Sequence, residues 1–78
     1  MQVEINFHII ADSGICEGKP VFKGTRIMVW QVLELLGAGV SIEEIRQDYF
    51  PQLTREAILS VLNYASKIIE DEKYVLFQ

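Results

Sequence analysis

The chain has 78 residues, half of them hydrophobic, and a formal net charge of −4 at neutral pH. A single domain of this size, residues 1–78, buries only about 60% of its unfolded surface, so this apolar content favours a homodimer or a protein partner. The acidic charge argues against non-specific nucleic-acid binding. No membrane span or signal peptide is predicted, and a single cysteine suits a reducing cytoplasm, where we place the protein.

Residues 1–27 are predicted to form short strands and a hairpin. Val3, Ile5 and Phe7 alternate with polar residues, which indicates a half-buried strand. Residues 20–27 predict a second strand that turns near Gly24 and returns. Because an isolated two-stranded hairpin is only marginally stable, these strands need a third, from residues 2–7 or from a second subunit.

Residues 28–69 are predicted to form three helices. The first, Met28–Ala38, is apolar nearly all round, which indicates burial on more than one side. The second begins with a capping box, Ser41 with Glu44, and stops before Pro51; the third begins at Thr54. The predicted buried stripe of the third helix is Ile58, Val61, Leu62, Ala65 and Ile68 or Ile69. The fold class is therefore mainly α, a three-helix unit of the helix-turn-helix kind preceded by strands, with residues 70–78 as a tail.

Three cations and no acids occur between Lys19 and Arg26, whereas eight acids and three cations occur from residue 34 to residue 72. The cationic segment offers Lys19, Lys23, Thr25 and Arg26 as candidate nucleic-acid contacts, because a β-ribbon can contact DNA. The same residues are equally suited to a dimer seam in which the cations pair with acids of the second helix or the tail.

The outer face of the third helix is a second candidate surface for DNA. Its residues Arg55, Ser60, Asn63 and Lys67 are of the types that contact phosphates or base edges. Any exposed helix shows such residues, and two cations with Glu56 between them are a sparse electrostatic footprint.

No residue pattern predicts catalysis, a cofactor or a metal site. The glycines before Pro20 have the wrong spacing for a phosphate loop, and Pro20 stands where a hydroxyl is required. One cysteine, Cys16, and one histidine, His8, supply too few ligands for structural zinc. Glu44 and Asp48 share a helical face, which favours a solvated surface over acid–base chemistry. We therefore expect a protein that is not an enzyme.

The run from Cys16 to Ile27, with its Gly-Lys-Pro and Gly-Thr-Arg-Ile segments, resembles the small prokaryotic family called domain of unknown function 433. The later Ser41-x-x-Glu44-Ile45 and Leu53-Thr54-x-Glu56 patterns also fit, and Glu17 stands where the family typically has glycine. The resemblance implies a homeodomain-like fold and the role of a VapB-type antitoxin. Such antitoxins dimerise, bind a PIN-like ribonuclease toxin and often repress their own promoter.

The leading hypothesis is thus an antitoxin-like homodimer whose hairpin around Gly24 and first helix form a subunit or partner interface. The tail residues Tyr74, Leu76 and Phe77 are its predicted toxin contacts, with the neighbouring acids facing a cationic ribonuclease. The alternatives are a stand-alone DNA-binding regulator and a structural dimerisation module that binds no DNA.

Overall fold

A computed structural model describes residues 1–71 of the chain. In this range a small antiparallel sheet precedes three helices, which confirms the predicted mainly α fold. The strands are β1 (Gln2–Glu4), β2 (Ile9–Asp12) and β3 (Val21–Phe22), and a 3-10 turn, Cys16–Gly18, lies between β2 and β3. The helices are α1 (Val29–Gly37), α2 (Ile42–Glu44), which continues into a π-helical turn at Ile45–Tyr49, and α3 (Arg55–Asp71).

The strands are ordered β1-β2-β3, and both neighbouring pairs are antiparallel. Val3 lies opposite Ala11 in the first pair, and Ile10 lies opposite Val21 in the second. The strand paired directly with β3 is therefore β2, from the same chain, and the third strand of the sheet is β1, which lies within the predicted residues 2–7.

The predicted alternation of buried residues over Val3, Ile5 and Phe7 is wrong. Val3 is exposed and Phe7 is 74% exposed, whereas the consecutive Ile9 and Ile10 are both buried. The cause is a side-chain turn: the Asn6 carbonyl oxygen (Oδ1) accepts hydrogen bonds from the backbone N–H groups of residues 8 and 9, at 2.8 and 2.9 Å. This turn ends β1 early and leaves β2 as the central strand, covered on both faces.

The turn predicted near Gly24 is present, and Gly24 has a φ of +80°. Its geometry is fixed by Thr25, whose hydroxyl donates to the carbonyl of Phe22 at 2.9 Å and accepts from the N–H of Ile27 at 2.9 Å. The N–H of Phe22 donates to the carbonyl of Ile27 at 3.0 Å. Beyond this bond the returning segment pairs only through a single bridge at Met28, so it is shorter than a full strand.

The helix boundaries follow from local capping. The Ser41 hydroxyl accepts from the N–H of Glu44 at 3.1 Å, and the Thr54 hydroxyl accepts from the N–H of Ala57 at 3.1 Å, so both predicted N-caps form. The chain leaves α1 through Gly39, whose φ is +92°. Within residues 1–71, no helix is long and apolar enough to cross a membrane.

One hydrophobic core joins the sheet to all three helices. A hydrogen bond from the Asn6 side-chain amide to the carbonyl of Ser60, at 3.5 Å, also links the segment after β1 to α3. The buried members of the core are Ile9, Phe22, Ile27, Val29, Val32, Ile45, Leu53, Ala57, Ile58 and Val61. Burial of this set is the main stabilising contribution to the fold.

The apolar stripe of α3 continues beyond the core. Ile58 and Val61 are buried as predicted, but Ile68 is 45% exposed, Ile69 is 72% exposed, and Leu62 is also exposed. The 17 residues of α3 extend for about 25 Å at 1.5 Å per residue, and the buried part ends about halfway along. The prediction of a buried stripe is therefore wrong for the second half of the helix.

Helix α1 is buried on one side only. Val29 and Val32 are buried, whereas Trp30 is 48% exposed and Leu33 is also exposed. The Trp30 indole N–H donates to the Met28 sulfur at 3.2 Å, which holds the ring in place on the surface. The prediction that this helix is enclosed on more than one side by its own chain is thus not met.

Candidate partner-binding surface

The four candidate residues of the cationic segment do not form one continuous patch. The Lys23 ammonium lies 3.8 Å from a Glu4 carboxylate oxygen and 5.1 Å from the centre of the Phe7 ring. The Thr25 hydroxyl makes both turn hydrogen bonds described above. Lys23 and Thr25 therefore contribute to the local structure of the sheet and its turn.

Lys19 and Arg26 differ from these two residues. Both are exposed, and neither forms an ion pair with a carboxylate in the part of the chain that the structure describes. Backbone atoms of both residues are ordered by the nearby 3-10 turn: the Lys19 N–H donates to the Cys16 carbonyl at 3.1 Å, and the Cys16 thiol lies 3.6 Å from the Arg26 carbonyl. They are the two cations of this segment that are available for a partner.

On α3, two of the four predicted DNA contacts are already engaged. Arg55 Nη1 lies 2.8 Å from Glu43 Oε2, so Arg55 links α3 to α2 through an exposed ion pair. Ser60 is only partly exposed, and its hydroxyl donates to the Ala57 carbonyl at 2.7 Å. This corrects the placement of Ser60 on the outer face, because Ser60 is half-buried and its backbone carbonyl accepts from the Asn6 side chain of the segment after β1.

The other two, Asn63 and Lys67, lie together along a groove between α3 and the segment that follows β1. The groove is lined by Ile5, Asn6, Asn63, Tyr64, Lys67, Ile68 and Asp71. It therefore carries one cation and one acid. Arg55 is twelve residues before Lys67, about 18 Å along the helix axis. The four predicted DNA contacts on α3 therefore do not form one compact surface.

His8 and Cys16, which were considered for catalysis or metal binding, each make a separate structural contact. His8 packs edge-on against Phe7, with ring centres 4.9 Å apart, and the Cys16 thiol points to a backbone carbonyl. Arg46 uses its Nε–H to donate to the carbonyl of Leu53 at 3.1 Å. Among residues 1–71, no group of three or more histidine, cysteine or acidic side chains is placed to hold a metal ion.

An apolar surface shared by α1 and α3, which we call the α1–α3 face, is left exposed by the rest of residues 1–71. It consists of Trp30 and Leu33 on α1 and of Ala65, Ile68 and Ile69 on α3. A groove in this face is lined by Pro20, Val29, Trp30, Leu33, Val61, Tyr64, Ala65 and Ile68. The lining residues include no charged side chain, and their side-chain polar groups are the Tyr64 hydroxyl and the Trp30 indole N–H.

Acidic residues border this face. Glu34 lies beside Trp30 and Leu33 along α1, while Glu70 and Asp71 follow the exposed isoleucines at the end of α3. Such an arrangement, an apolar centre with a charged rim, is typical of a protein-binding surface. Sequence periodicity found these apolar residues but assigned them to the core, because a helical repeat does not show where the packed body of the domain ends.

The predicted toxin contacts Tyr74, Leu76 and Phe77 lie outside the described residues. The last described acids, Glu70 and Asp71, are exposed.

A family model described as protein of unknown function (DUF433) matches residues 9–65. Neither the curated proteins nor the solved structures contain a match to this chain. The matched region runs from the first buried residue of β2 to the point at which α3 leaves the core, and it covers more than half of the 78 residues. The chain is therefore a member of the DUF433 family.

Proposed function

We propose that this protein is an antitoxin-like partner of a PIN-like ribonuclease toxin, which it binds and neutralises in the cytoplasm. The observation that carries the proposal is the end of α3, where exposed Ile68 and Ile69 are followed directly by the exposed acids Glu70 and Asp71. Apolar anchors beside acids suit a partner with an apolar cleft and a cationic rim.

The charge of the helical region supports a cationic partner. From Glu34 to Asp71 there are seven acids and three cations, so this region is −4. Of its cations, Arg55 is paired with Glu43, and Arg46 donates to a backbone carbonyl. A ribonuclease must attract a polyanion, so its substrate-binding surface is cationic, and an acidic protein competes for that surface through long-range attraction.

The contact surface proposed for the toxin is the end of α3 together with the tail side chains Tyr74, Leu76 and Phe77. Aromatic and large aliphatic groups of this kind dominate binding energy when they enter a pocket. The antitoxin role comes from the resemblance of the sequence to VapB-type antitoxins, and the matching family model assigns no function.

The decisive experiment is co-expression with the protein encoded by the neighbouring gene, which on this proposal is the PIN-like toxin. We expect a complex that survives purification at low salt, weakens as salt rises from 100 to 500 mM, and relieves the growth inhibition caused by the toxin alone. A chain ending at Asp71 is expected to lose the complex while keeping the helical content of residues 1–71.

A matched pair of point variants separates this surface from general effects. Ile68→Glu places a charge in the proposed contact, whereas Leu59→Glu makes the same kind of change nine residues earlier, on the opposite side of α3, where Leu59 is 38% exposed. Only the first is expected to weaken the complex. Absence of a complex with unrelieved growth inhibition, or equal weakening by both variants, would overturn the proposal.

A second candidate function is binding of the protein to its own promoter, with or without a toxin. It is favoured by the exposed cations Lys19 and Arg26, which form no ion pair within residues 1–71, and by Asn63 and Lys67, which line one groove on α3. Fluorescence anisotropy with the upstream DNA should show affinity that falls steeply between 50 and 200 mM salt. The Lys19→Ala/Arg26→Ala double variant should reduce the salt slope by about 2, since each phosphate contact contributes roughly one. Binding that does not depend on salt or on these residues would exclude this function.

A further inference from the structure

A groove between α1 and the π-helical turn is lined by three aromatic rings and one carboxylate. Its lining residues are Trp30, Gln31, Glu34, Leu35, Ala38, Tyr49 and Phe50. We propose that this groove, which we call the aromatic groove, binds the guanidinium group of an arginine side chain from a partner protein. Its lining includes no residue of α3, so the inference is independent of the toxin contact and of the DNA contacts proposed above.

Two of the three rings are held by local hydrogen bonds. The Trp30 indole N–H donates to the Met28 sulfur at 3.2 Å. The Phe50 N–H donates to the Ile45 carbonyl at 2.8 Å and so closes the π-helical turn, which places the Tyr49 and Phe50 rings side by side with their centres 6.5 Å apart. The aromatic part of the groove is therefore formed before any ligand enters, and π-helical turns occur frequently at functional sites.

The rings remain accessible to a ligand. Trp30 is 48% exposed and Tyr49 is 46% exposed. The face of an aromatic ring is electron-rich and attracts a cation within about 6 Å of the ring centre, and tryptophan is the strongest of the three aromatic types. At an exposed site each such contact raises affinity by about twofold to fivefold.

Glu34 gives the groove its negative charge. It follows Trp30 by one turn of α1, so the carboxylate and the indole lie on the same side of the helix. Glu34 is exposed and forms no ion pair within residues 1–71, and no lysine or arginine of this range lines the groove. A carboxylate beside aromatic rings, with no cation of its own chain in the groove, is complementary to a cationic ligand.

A guanidinium group fits these surroundings better than an ammonium group. It is planar and weakly hydrated, so it can stack on Trp30 while it donates two hydrogen bonds to the Glu34 carboxylate. The ammonium of lysine is strongly hydrated and cannot stack in this way. Leu35 and Ala38 offer apolar surface to the methylene stem of an arginine, and the groove volume of about 550 Å³ is within the range of ligand pockets.

The absence of a cation in this lining favours an arginine within a protein over the free amino acid. Free arginine carries an α-carboxylate, and the described lining residues offer no positive charge to pair with it. An arginine inside a chain has no such group. Arginine and tryptophan are also among the residue types most enriched where binding energy is concentrated in protein interfaces.

Titration of the full chain with N-acetylarginine amide, up to 50 mM, tests the proposal. Trp30 is the single tryptophan of the sequence, so its fluorescence and its indole N–H resonance report directly on the groove. We expect saturable binding with a dissociation constant of about 1–10 mM, which weakens from 50 to 500 mM NaCl. N-acetyllysine amide has the same charge and should bind at least threefold more weakly.

A matched set of variants assigns the binding to the groove. Glu34→Gln keeps the shape of the side chain, removes its charge and should weaken binding about twofold to fivefold. Tyr49→Leu removes a ring and should weaken binding by a similar factor. Glu56→Gln removes the same charge from an exposed position of α3 and should leave the dissociation constant within 1.5-fold. All three residues lie outside the buried core, so the circular dichroism spectrum should not change.

The proposal is wrong if no saturable change occurs up to 50 mM, or if the lysine and arginine probes bind equally well. Equal effects of Glu34→Gln and Glu56→Gln would also contradict it, because binding would then follow the net charge of the chain. Free arginine binding more than tenfold more tightly than the capped residue would overturn the assignment to a partner protein, since the groove would then recognise the α-amino and carboxylate groups of a small molecule.

Discussion

Glu17 is held in a backbone conformation that favours glycine, and its replacement by glycine should stabilise the protein. Cys16, Glu17 and Gly18 are consecutive residues with φ values of 50°, 58° and 84°. Gly18 adopts this conformation without penalty, whereas an L-residue in the left-handed region costs about 1–2 kcal/mol. The 3-10 turn between β2 and β3 therefore contains local strain at Glu17.

The expected gain is smaller than the strain itself. Glycine also loses about 0.5–1 kcal/mol through its greater freedom in the unfolded chain, so Glu17→Gly should raise the free energy of unfolding by about 0.5–1 kcal/mol. For a domain of this size that corresponds to an increase in Tm of about 2–8 °C. The side chain itself contributes little, because Glu17 is exposed and forms no ion pair with the other described residues.

Urea unfolding followed by circular dichroism, at one protein concentration, measures the effect. Glu17→Ala is the matched control: it removes the same charge and keeps an L-residue, so its free energy of unfolding should stay within about 0.5 kcal/mol of wild type. Gly18→Ala should lose about 1–2 kcal/mol from backbone strain alone, since an added Cβ would lie 4.0 Å from the nearest atom, the Ser13 Cα. If Glu17→Gly is no more stable than Glu17→Ala, the strain assigned to this turn is absent.

Three further substitutions test the packing and the caps. Ile58→Ala, at a fully buried core position, should lower the free energy of unfolding by about 2–5 kcal/mol in urea titrations, and a loss below 1 kcal/mol would contradict the core assigned to α3. Ser41→Ala removes the N-cap of α2 and should cost about 1 kcal/mol by the same measurement, whereas Ser66→Ala on the exposed face of α3 should be nearly neutral. Arg55→Ala breaks an exposed ion pair with Glu43 and should change Tm by no more than a few degrees; a larger loss would mean that this pair fixes the position of α2 on α3.

The parts of the fold that depend on short-range chemistry could be predicted from the sequence. Ser41 and Thr54 were identified as N-caps because a hydroxyl three residues before a free N–H is a local arrangement. The turn at Gly24 was found for the same reason. These features need only a few neighbouring residues to form, and distant packing does not alter them.

The features that escaped prediction depend on distant parts of the chain. The Asn6 side chain ends β1 by accepting hydrogen bonds from the backbone N–H groups of residues 8 and 9. An alternating pattern of apolar and polar residues does not reveal such a turn. The exposure of Trp30 and Ile68 depends on where the hydrophobic core ends. Hydrophobic periodicity identifies the apolar side of a helix, but it does not show whether another element packs against that side. For the candidate surface, the residue types on α3 could be named from the sequence, but the pairing of Arg55 with Glu43 depends on where α2 lies against α3.

The hydrogen bond between Asn6 and Ser60 joins residues 54 positions apart, and Ile9 packs in the same core as Val61. During synthesis the ribosome completes the sheet long before the residues that cover it. At a translation rate of about 5–20 residues per second, α3 is synthesised roughly three to ten seconds after β2. During this interval α1 and α2 can pack on Ile9 and Phe22 but α3 cannot, so part of the core surface of the nascent chain stays open to chaperones, proteases and premature association. The order in which the elements are translated thus gives α3 the role of closing the fold.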